Sequence, residues 1–458
     1  MAAHLFTAAA FCFLLADYSH AAGGAACGPP NIVFIMADDL GPGWVDLDGS
    51  NPTINTPNLE RLARSGMVFN RAYAAASVCS PTRAACITGM SPARLHLTTH
   101  IPGVAGRRHR PPKGGRVDAE SINHLPQELP SYARELSDLG YATAFMGKWH
   151  LAGEGSAQSA NGIVDSRHHP EHFGFDVNLA GCALGQPKSW FSPYRNGALS
   201  NGIVGEYLTD RLGTEAAEFI RSEHESPFHL TLWFYSVHTP IKAPKELVAK
   251  NHGDAYLAMI ESMDSAVGQV LTALESVGVL ENTLVVFYSD NGGDVPTAWL
   301  AEKKGSLLEG GLRVPMVASW PLVISPGAQS EEPVSSMDFF PTFVHAAGGT
   351  PTNPERLEGA SLLPLFKGAG SLDRDALFWH YPHNRGGVAY DMGSAVISDG
   401  WKFYQGYGLT KDALFNLSTD PLERTNLMAE APARAERMRA LLNQWLATSD
   451  ARMPPPAE

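Results

Sequence analysis

The chain is predicted to fold as an α/β protein around a large, mostly parallel sheet flanked by helices, with a smaller C-terminal α+β unit. Three observations predict it. From residue 31, apolar runs of strand length alternate with amphipathic stretches and Gly/Pro turns, the pattern of strands joined by helical crossovers. Four of those runs end in clustered polar residues, as expected where the strands of an open sheet point their carboxyl ends at a ligand. Near residue 365 the pattern changes to short strand-like pieces and one amphipathic helix, after Leu357–Leu362 and the loop Lys367-Gly368-Ala369-Gly370. The organisation expected is a leader over 1–22, a large unit over 30–366 and a small unit over 371–452, with MPPPAE as a loose tail.

The 458 residues are 44% hydrophobic and 18% charged, with 44 Gly and 33 Pro, enough to bury a sizeable core and shape many loops. Disordered, coiled-coil and collagen classes are excluded on that basis. The formal charge of −13, from 34 basic and 47 acidic residues, offers no electrostatic footprint for nucleic acid, so none is expected as a partner. Five cysteines, at 12, 27, 79, 86 and 182, are too few and too scattered for a disulfide framework.

At the N-terminus, LFTAAAFCFLL (5–15) has the length of a signal-peptide apolar core, and Ser19-His20-Ala21 suits a cleavage site. Export to a periplasmic or extracellular space is expected. The run is too short to span a membrane, and no other segment is long enough. Cys27 lacks the Leu that a lipid-anchor site would carry in Gly24-Ala25-Ala26.

The strand-like runs follow in order. NIVFIMA (31–37) leads into Asp38-Asp39, YATAFM (141–146) into Gly147-Lys148-Trp149-His150, HLTLWFYSV (229–237) into His238-Thr239-Pro240, and TLVVFYS (283–289) into Asp290-Asn291-Gly292-Gly293. One polar tail after a strand means little, because loops are exposed; four bearing Asp, Asn, Lys and His are expected to converge. Asp38, Asp39, Asp290 and Asn291 offer oxygen ligands without His or Cys, which suits a hard cation and argues against zinc. If the strand continues, Lys148 and His150 share a face. His238 ends an apolar strand, where a structural histidine is the ordinary role, and either Lys303 or Lys304 could be a surface charge.

Between the first two tails, Ser80 is a good N-cap and Pro81 suits the first helical position, placing Cys79 at a helix N-terminus that favours an anion. Arg83, four residues on, can fall on the side that Cys79 faces. A free cysteine is more often a small buried hydrophobe, the other role open to Cys79 and Cys86. In the small unit, ALFWHY, GSAVIS and WKFYQGY read as strands and 430–447 as a helix. His168, His169 and His172 with Glu171 read as a loop rather than a metal cluster.

Cys79-Ser80-Pro81-Thr82-Arg83, followed by Ala84-Ala85 and Thr88-Gly89, resembles the signature of the type I sulfatases of the alkaline phosphatase superfamily. Further matches run along nearly the whole chain in family order: Asp38-Asp39-Leu40-Gly41, Thr56-Pro57-Asn58-Leu59, Gly147–Leu151, His238-Thr239-Pro240, Asp290-Asn291-Gly292, Lys304–Ser306 through Glu309–Gly311 to Arg313-Val314-Pro315, and Leu414–Leu417 through Asp420-Pro421 to Asn426-Leu427. The resemblance implies an alkaline-phosphatase-like fold, oxidation of Cys79 to formylglycine by a maturation enzyme, and Ca²⁺ held by Asp38, Asp39, Asp290, Asn291 and residue 79, with Mg²⁺ the alternative. It also implies that a hydroxyl of the hydrated formylglycine, near Asp290, attacks sulfur, that Lys148 and Lys304 hold sulfate, that Arg83 orients the gem-diol, that His238 beside Lys304 protonates the leaving alcohol and that His150 takes the proton whose loss expels sulfate.

The segment Phe173–Asn178, with Gly185-Gln186-Pro187 and Trp190–Tyr194, resembles bacterial exo-acting glycan sulfatases, some acting on galactose-type sugars. There, Asp-Trp usually stands where this chain has Thr99-His100. His100, His380 and His383 are candidate rim residues for a sugar, with a structural corner the other role for His380–His383; Ile397 is assigned none. A phosphodiester or phosphonate monoester hydrolase of the same superfamily and a glycan-binding pseudoenzyme are the competing readings.

Overall fold

A computed structural model describes residues 28–102, 113–153 and 166–457; the expected leader, with Cys12 and Cys27, lies outside the described residues. The large unit carries β1 (Asn31–Ala37), β2 (Met67–Phe69), β3 (Ala72–Tyr73), β4 (Ala142–Gly147), β5 (Val177–Leu179), β6 (Phe228–Trp233), β7 (Thr283–Ser289), β8 (Val317–Ser319), β9 (Ala328–Ser330) and β10 (Val334–Ser335). Eight of them form one sheet in the order β5-β4-β6-β1-β7-β8-β2-β9, and β3 pairs with β10 alone. β5, β4, β6, β1 and β7 are mutually parallel, and β8 runs against its neighbours β7 and β2.

β1 reads as an unbroken apolar run because the sheet is covered on both faces. Ile32, Phe34 and Met36 enter the core beneath the helices Cys79–Thr88, Tyr132–Asp138 and Phe339–Ala346. Val33, Ile35 and Ala37 enter the opposite core, under Pro57–Ser65, Leu208–Arg221 and Ala255–Ser276. The registers Met36↔Trp233, Gly147↔Trp233 and Ala37↔Ser289 bring four parallel strands to an end at one edge. The polar tails therefore emerge side by side.

One expected strand ends early, and another does not continue into its polar tail. β6 leaves its ladder at Trp233, although Val237 N–H still donates to Asp38 O (2.7 Å) and Asp38 N–H to Ser236 O (2.8 Å), which keeps the His238 loop beside β1. β4 stops at Gly147 (φ 109°), so strand alternation does not align Lys148 with His150. Gly147 is required there: a Cβ would fall 1.9 Å from Trp233 O.

The small unit is an antiparallel sheet of β11 (Leu377–Tyr381), β12 (Gly393–Ser398), β13 (Trp401–Gly406) and β14 (Ala413–Asn416), with the helix Pro432–Thr448. Val396, Phe403 and Leu414 pack under Ala435, Met438 and Leu442 of that helix. The other face, including Trp379, Tyr381 and Ile397, packs on Tyr73, Val78, Leu307 and Leu312 of the large unit. Between the units Lys402 is buried within 2.9 Å of Glu309 and 2.7 Å of Glu423. The C-terminal segment is not loose: Val117 N–H donates to Pro455 O and Ala457 N–H to Gly115 O, pairing it with 115–117.

Candidate active site

The helix carrying the cysteine signature starts at Cys79, with Val78 in the cap position, and all ten of its residues are buried. Ser80 therefore lies inside the helix rather than capping it. Its hydroxyl donates to His150 O (3.1 Å) and accepts from Ile101 N–H (3.0 Å), joining three segments. Thr82 Oγ1 folds back on Ala76, accepting its N–H and donating to its carbonyl (both 3.1 Å), which secures the approach to the helix.

Cys79 Sγ lies 3.6 Å from Asp38 Oδ1, 3.9 Å from Asp39 Oδ1 and 3.3 Å from Lys304 Nζ. Burial pushes the thiol up to about 12, more than Lys148 and Lys304 pull it back. Such a thiol is essentially undissociated at neutral pH and a poor nucleophile. Arg83 is fully buried: Nε (3.0 Å) and Nη2 (2.7 Å) both donate to Asp290 Oδ2, and Nη1 donates to Lys148 O (2.7 Å). It anchors two of the strand tails rather than hydrogen-bonding residue 79.

Lys148 Nζ pairs with Asp38 Oδ2 and Lys304 Nζ with Asp39 Oδ1, each at 2.5 Å. Burial raises the Asp39 carboxyl, but Lys304, His238 and Lys148 together outweigh it and hold the group far below the carboxylate range. Asp290 goes the other way, to about 6, because burial and then Asp38 outweigh Arg83. Asn291 donates from Nδ2 to Asp39 Oδ1 (2.8 Å) and to Gly292 O (2.9 Å), while its buried Oδ1 has no hydrogen-bond partner among the described residues. Three crowded carboxylates and an orphaned amide oxygen are a donor set that fits a hard cation. Among the described residues, the one group of metal-type side chains within mutual reach is Asp38, Asp39, Cys79 and His238. The His168–His172 stretch forms no such group.

The two histidines are held differently. His238 Nδ1–H donates to Thr239 O (2.6 Å), and Nε2 faces Asp39 Oδ2 at 3.6 Å. Burial pushes it down to about 4 against the pull of Asp39. His150 adopts a left-handed backbone (φ 59°), unusual for a non-glycine residue, and donates Nε2–H to Ile101 O at 2.5 Å. Its Nδ1 is buried and has no partner among the described residues, and burial, then Lys148, holds the ring well below the usual histidine range. A neutral ring bonded through Nε2–H keeps a lone pair on Nδ1.

All ten residues expected at the strand-end site are thus brought together: Asp38, Asp39, Cys79, Arg83, Lys148, His150, His238, Asp290, Asn291 and Lys304. The expected rim divides. His100 is half-buried and close enough to depress His150 electrostatically. His383 is buried, with Nε2 on Thr98 Oγ1 (2.8 Å). His380 is a structural corner: Nδ1 meets Ser394 Oγ (2.7 Å) and Nε2 meets Arg452 O (3.0 Å), leaving neither nitrogen for a sugar. Ile101 and Gly185 also serve the site, in roles that the sequence did not assign to them. Ile101 supplies the carbonyl that orients His150, and a Cβ on Gly185 would fall 2.3 Å from His150 Nε2, so only glycine admits the ring. A glycine in a loop is visible in the sequence; what approaches it is not.

Residues 30–349 match the sulfatase family model, and residues 299–450 match the C-terminal model of N-sulphoglucosamine sulphohydrolase. The chain belongs to the sulfatase family and is a sulfuric ester hydrolase. It is 31% identical over 499 residues to a sulfatase of Formosa agariphila, covering 92% of this chain and 89% of that one. It is 32% identical over 478 residues to mouse steryl-sulfatase, covering 85% and 73% respectively. Among solved structures, Ps i-CgsB in complex with k-i-k-neocarrahexaose superposes with a TM-score of 0.75 at 29% identity, over 91% of this chain and 93% of that one. A phosphonate monoester hydrolase of Agrobacterium radiobacter (TM-score 0.67, 21% identity, 92% and 96% covered) shares the fold.

Proposed function

We propose that this sulfatase removes sulfate from a sulfated carbohydrate outside the cytoplasm, using Cys79 matured to formylglycine and a calcium ion. The observation that carries the chemistry is the buried Cys79 thiol, held near 12 beside two lysines and three aspartates. As an undissociated thiol it is a poor nucleophile, whereas a hydroxyl of a hydrated aldehyde at the same place can attack sulfur. The carbohydrate reading draws on the likeness to Ps i-CgsB, whose complex contains a neocarrahexaose.

Asp38, Asp39, Asp290, the free Oδ1 of Asn291 and residue 79 would hold calcium, which polarises a sulfate oxygen and lowers the pKa of a bound hydroxyl. Hydrated formylglycine supplies two hydroxyls on one carbon, one that gives its proton to the neighbouring Asp290 carboxylate as it displaces the alcohol from sulfur, and one whose proton loss ejects sulfate and restores the aldehyde. The ammonium groups of Lys148 and Lys304 bind the sulfate oxygens in a buried setting, where fixed charges act most strongly. Arg83 holds Asp290 and the Lys148 backbone in register. His238 gives the leaving oxygen a proton from Nε2; with Nδ1–H committed to Thr239, that requires the imidazolium, which the negative charge of a bound sulfate favours. His150 receives the later proton on Nδ1, the atom its Ile101 bond leaves free.

The test is hydrolysis of nitrophenyl sulfate, an aryl phosphodiester and a panel of defined sulfated sugars at equal concentration. Sulfate esters should be preferred, with a sugar sulfate among the good substrates. Preference for the phosphodiester would transfer the site to phosphodiester or phosphonate monoester chemistry, and no turnover of any ester would make the protein a glycan-binding pseudoenzyme.

A further inference from the structure

Arg385 lies against Gly305, beside Lys304 of this site, and is not used by the chemistry above. Its stem crosses Gly305: a Cβ built on that glycine would fall 1.7 Å from Arg385 Cδ and 2.3 Å from Nε. The residue before Gly305 is Lys304, whose ammonium is 3.3 Å from Cys79 Sγ. From the other side, the charge of Arg385 is felt at Tyr381, whose hydroxyl bonds Thr99. The neighbour of Thr99, His100, is felt in turn at His150. One route through 304–305 and another through Tyr381 and 99–100 therefore lead from the site to Arg385, which belongs to the C-terminal unit.

The carboxylates nearest to it are already engaged. Asp391 Oδ2 accepts the backbone N–H groups of Arg385 (3.0 Å) and Gly386 (3.3 Å), and its Oδ1 pairs with Lys113 (2.6 Å). Asp118 Oδ1 accepts Asn384 N–H (2.6 Å). Among the described residues the half-buried guanidinium makes no hydrogen bond or ion pair. A guanidinium stays charged at any working pH, and partial burial without a partner is unfavourable. Its fork of donors matches the paired oxygens of a sulfate or a carboxylate. The scissile sulfate has Lys148 and Lys304, so an anion at Arg385 belongs to the leaving group.

We propose that Arg385 is a specificity residue that binds a second anionic substituent, sulfate or carboxylate, on the carbohydrate being desulfated. The proposal rests on the carbohydrate sulfatase reading of the site. It makes the natural substrate a multiply charged glycan rather than a singly sulfated neutral one.

The test compares kcat/KM for a monosulfated sugar with that for the same sugar bearing a second sulfate, and with a monosulfated disaccharide bearing a uronate, in the wild type, Arg385→Ala and Arg385→Lys. The wild type should prefer a doubly charged sugar, and Arg385→Ala should cut that preference about ten- to a hundredfold, mainly through KM, as expected for a charged hydrogen-bonded contact. Arg385→Lys should restore part of it. Whichever doubly charged sugar loses its advantage identifies the anion as sulfate or carboxylate. Because the readout is a ratio, general damage to folding cancels. An unchanged ratio in Arg385→Ala, or a wild-type preference for the singly charged sugar, overturns the proposal while leaving the sulfatase reading intact. Cleavage of nitrophenyl sulfate but of no sugar would overturn the carbohydrate reading and this proposal together.

Discussion

The floor and the rim of the site are built on opposite terms. On the floor, charges are buried and paired at short range: Lys148 with Asp38, Lys304 with Asp39, Arg83 with Asp290. At the rim, Arg385 is half-buried and, among the described residues, its guanidinium has no partner. The floor comes from adjacent ends of parallel strands and tolerates little displacement. The rim comes from the loop at 98–101 meeting the end of β11, a junction between two units. The difference separates reactivity, which needs preorganised charge, from selectivity, which needs donors left free for a ligand.

The sharpest break would come at the floor. Cys79→Ala should lower activity by about 10⁴-fold or more on every sulfate ester, as loss of a nucleophile does. Mass spectrometry of the tryptic peptide ending at Arg83 should find formylglycine in active wild type. A highly active preparation with only thiol at residue 79 would refute the proposed nucleophile. Asp39→Ala should lose most of its activity together with stoichiometric metal by elemental analysis; full retention of metal would remove Asp39 from the ligand set.

His238 stands between floor and leaving group. His238→Ala should lose about 10² to 10⁴ in activity on a sugar sulfate and much less on nitrophenyl sulfate, whose leaving group departs without a proton. His150→Ala should impair both substrates and accumulate sulfated protein. If His238→Ala instead traps sulfated protein with equal loss on both substrates, the two roles are exchanged.

Lys402 tests whether floor and rim are one body. Lys402→Met would leave Glu309 and Glu423 facing each other in the interior, a loss of about 3 to 5 kcal/mol of stability by urea unfolding. A single, weakened transition is expected, since the sheet it supports packs on Tyr73 and Val78 beside Cys79. Two transitions would show that the units hold together independently.

The smallest effect expected is on acid stability. Burial holds His383 at the rim and His229 in the large unit both down to about 3. The unfolded chain therefore binds more protons below about pH 6.5, and stability falls as pH drops through that range towards the folded values. At pH 5 each group costs about 2 kcal/mol relative to neutral pH. His383→Gln should flatten the pH 5 to 7.5 change in urea midpoint by roughly one histidine's share, and an unchanged slope would mean that His383 is protonated in the folded protein.

What the sequence determined was whatever local pattern can encode. Apolar runs marked β1 and β7 to the residue, because a strand buried on both faces must be apolar throughout. The polar tails of four such strands marked the floor, because parallel strands end at one edge. The tertiary structure decided every partner chosen across long separations. Ser80 has the composition of an N-cap, yet its hydroxyl joins His150 to Ile101 and the helix begins one residue earlier. β6 stops short of its apolar run, and β4 ends before Lys148, because the chain turns into the site. His380, in a run legible as a strand, and Arg385, in the loop after it, sit five residues apart; one is consumed by Ser394 and Arg452, while the other reaches Gly305 and, among the described residues, its guanidinium bonds nothing. A hydrogen bond between segments a hundred residues apart leaves no periodic trace in either, so only the folded chain shows which polar groups are satisfied and which remain for the substrate.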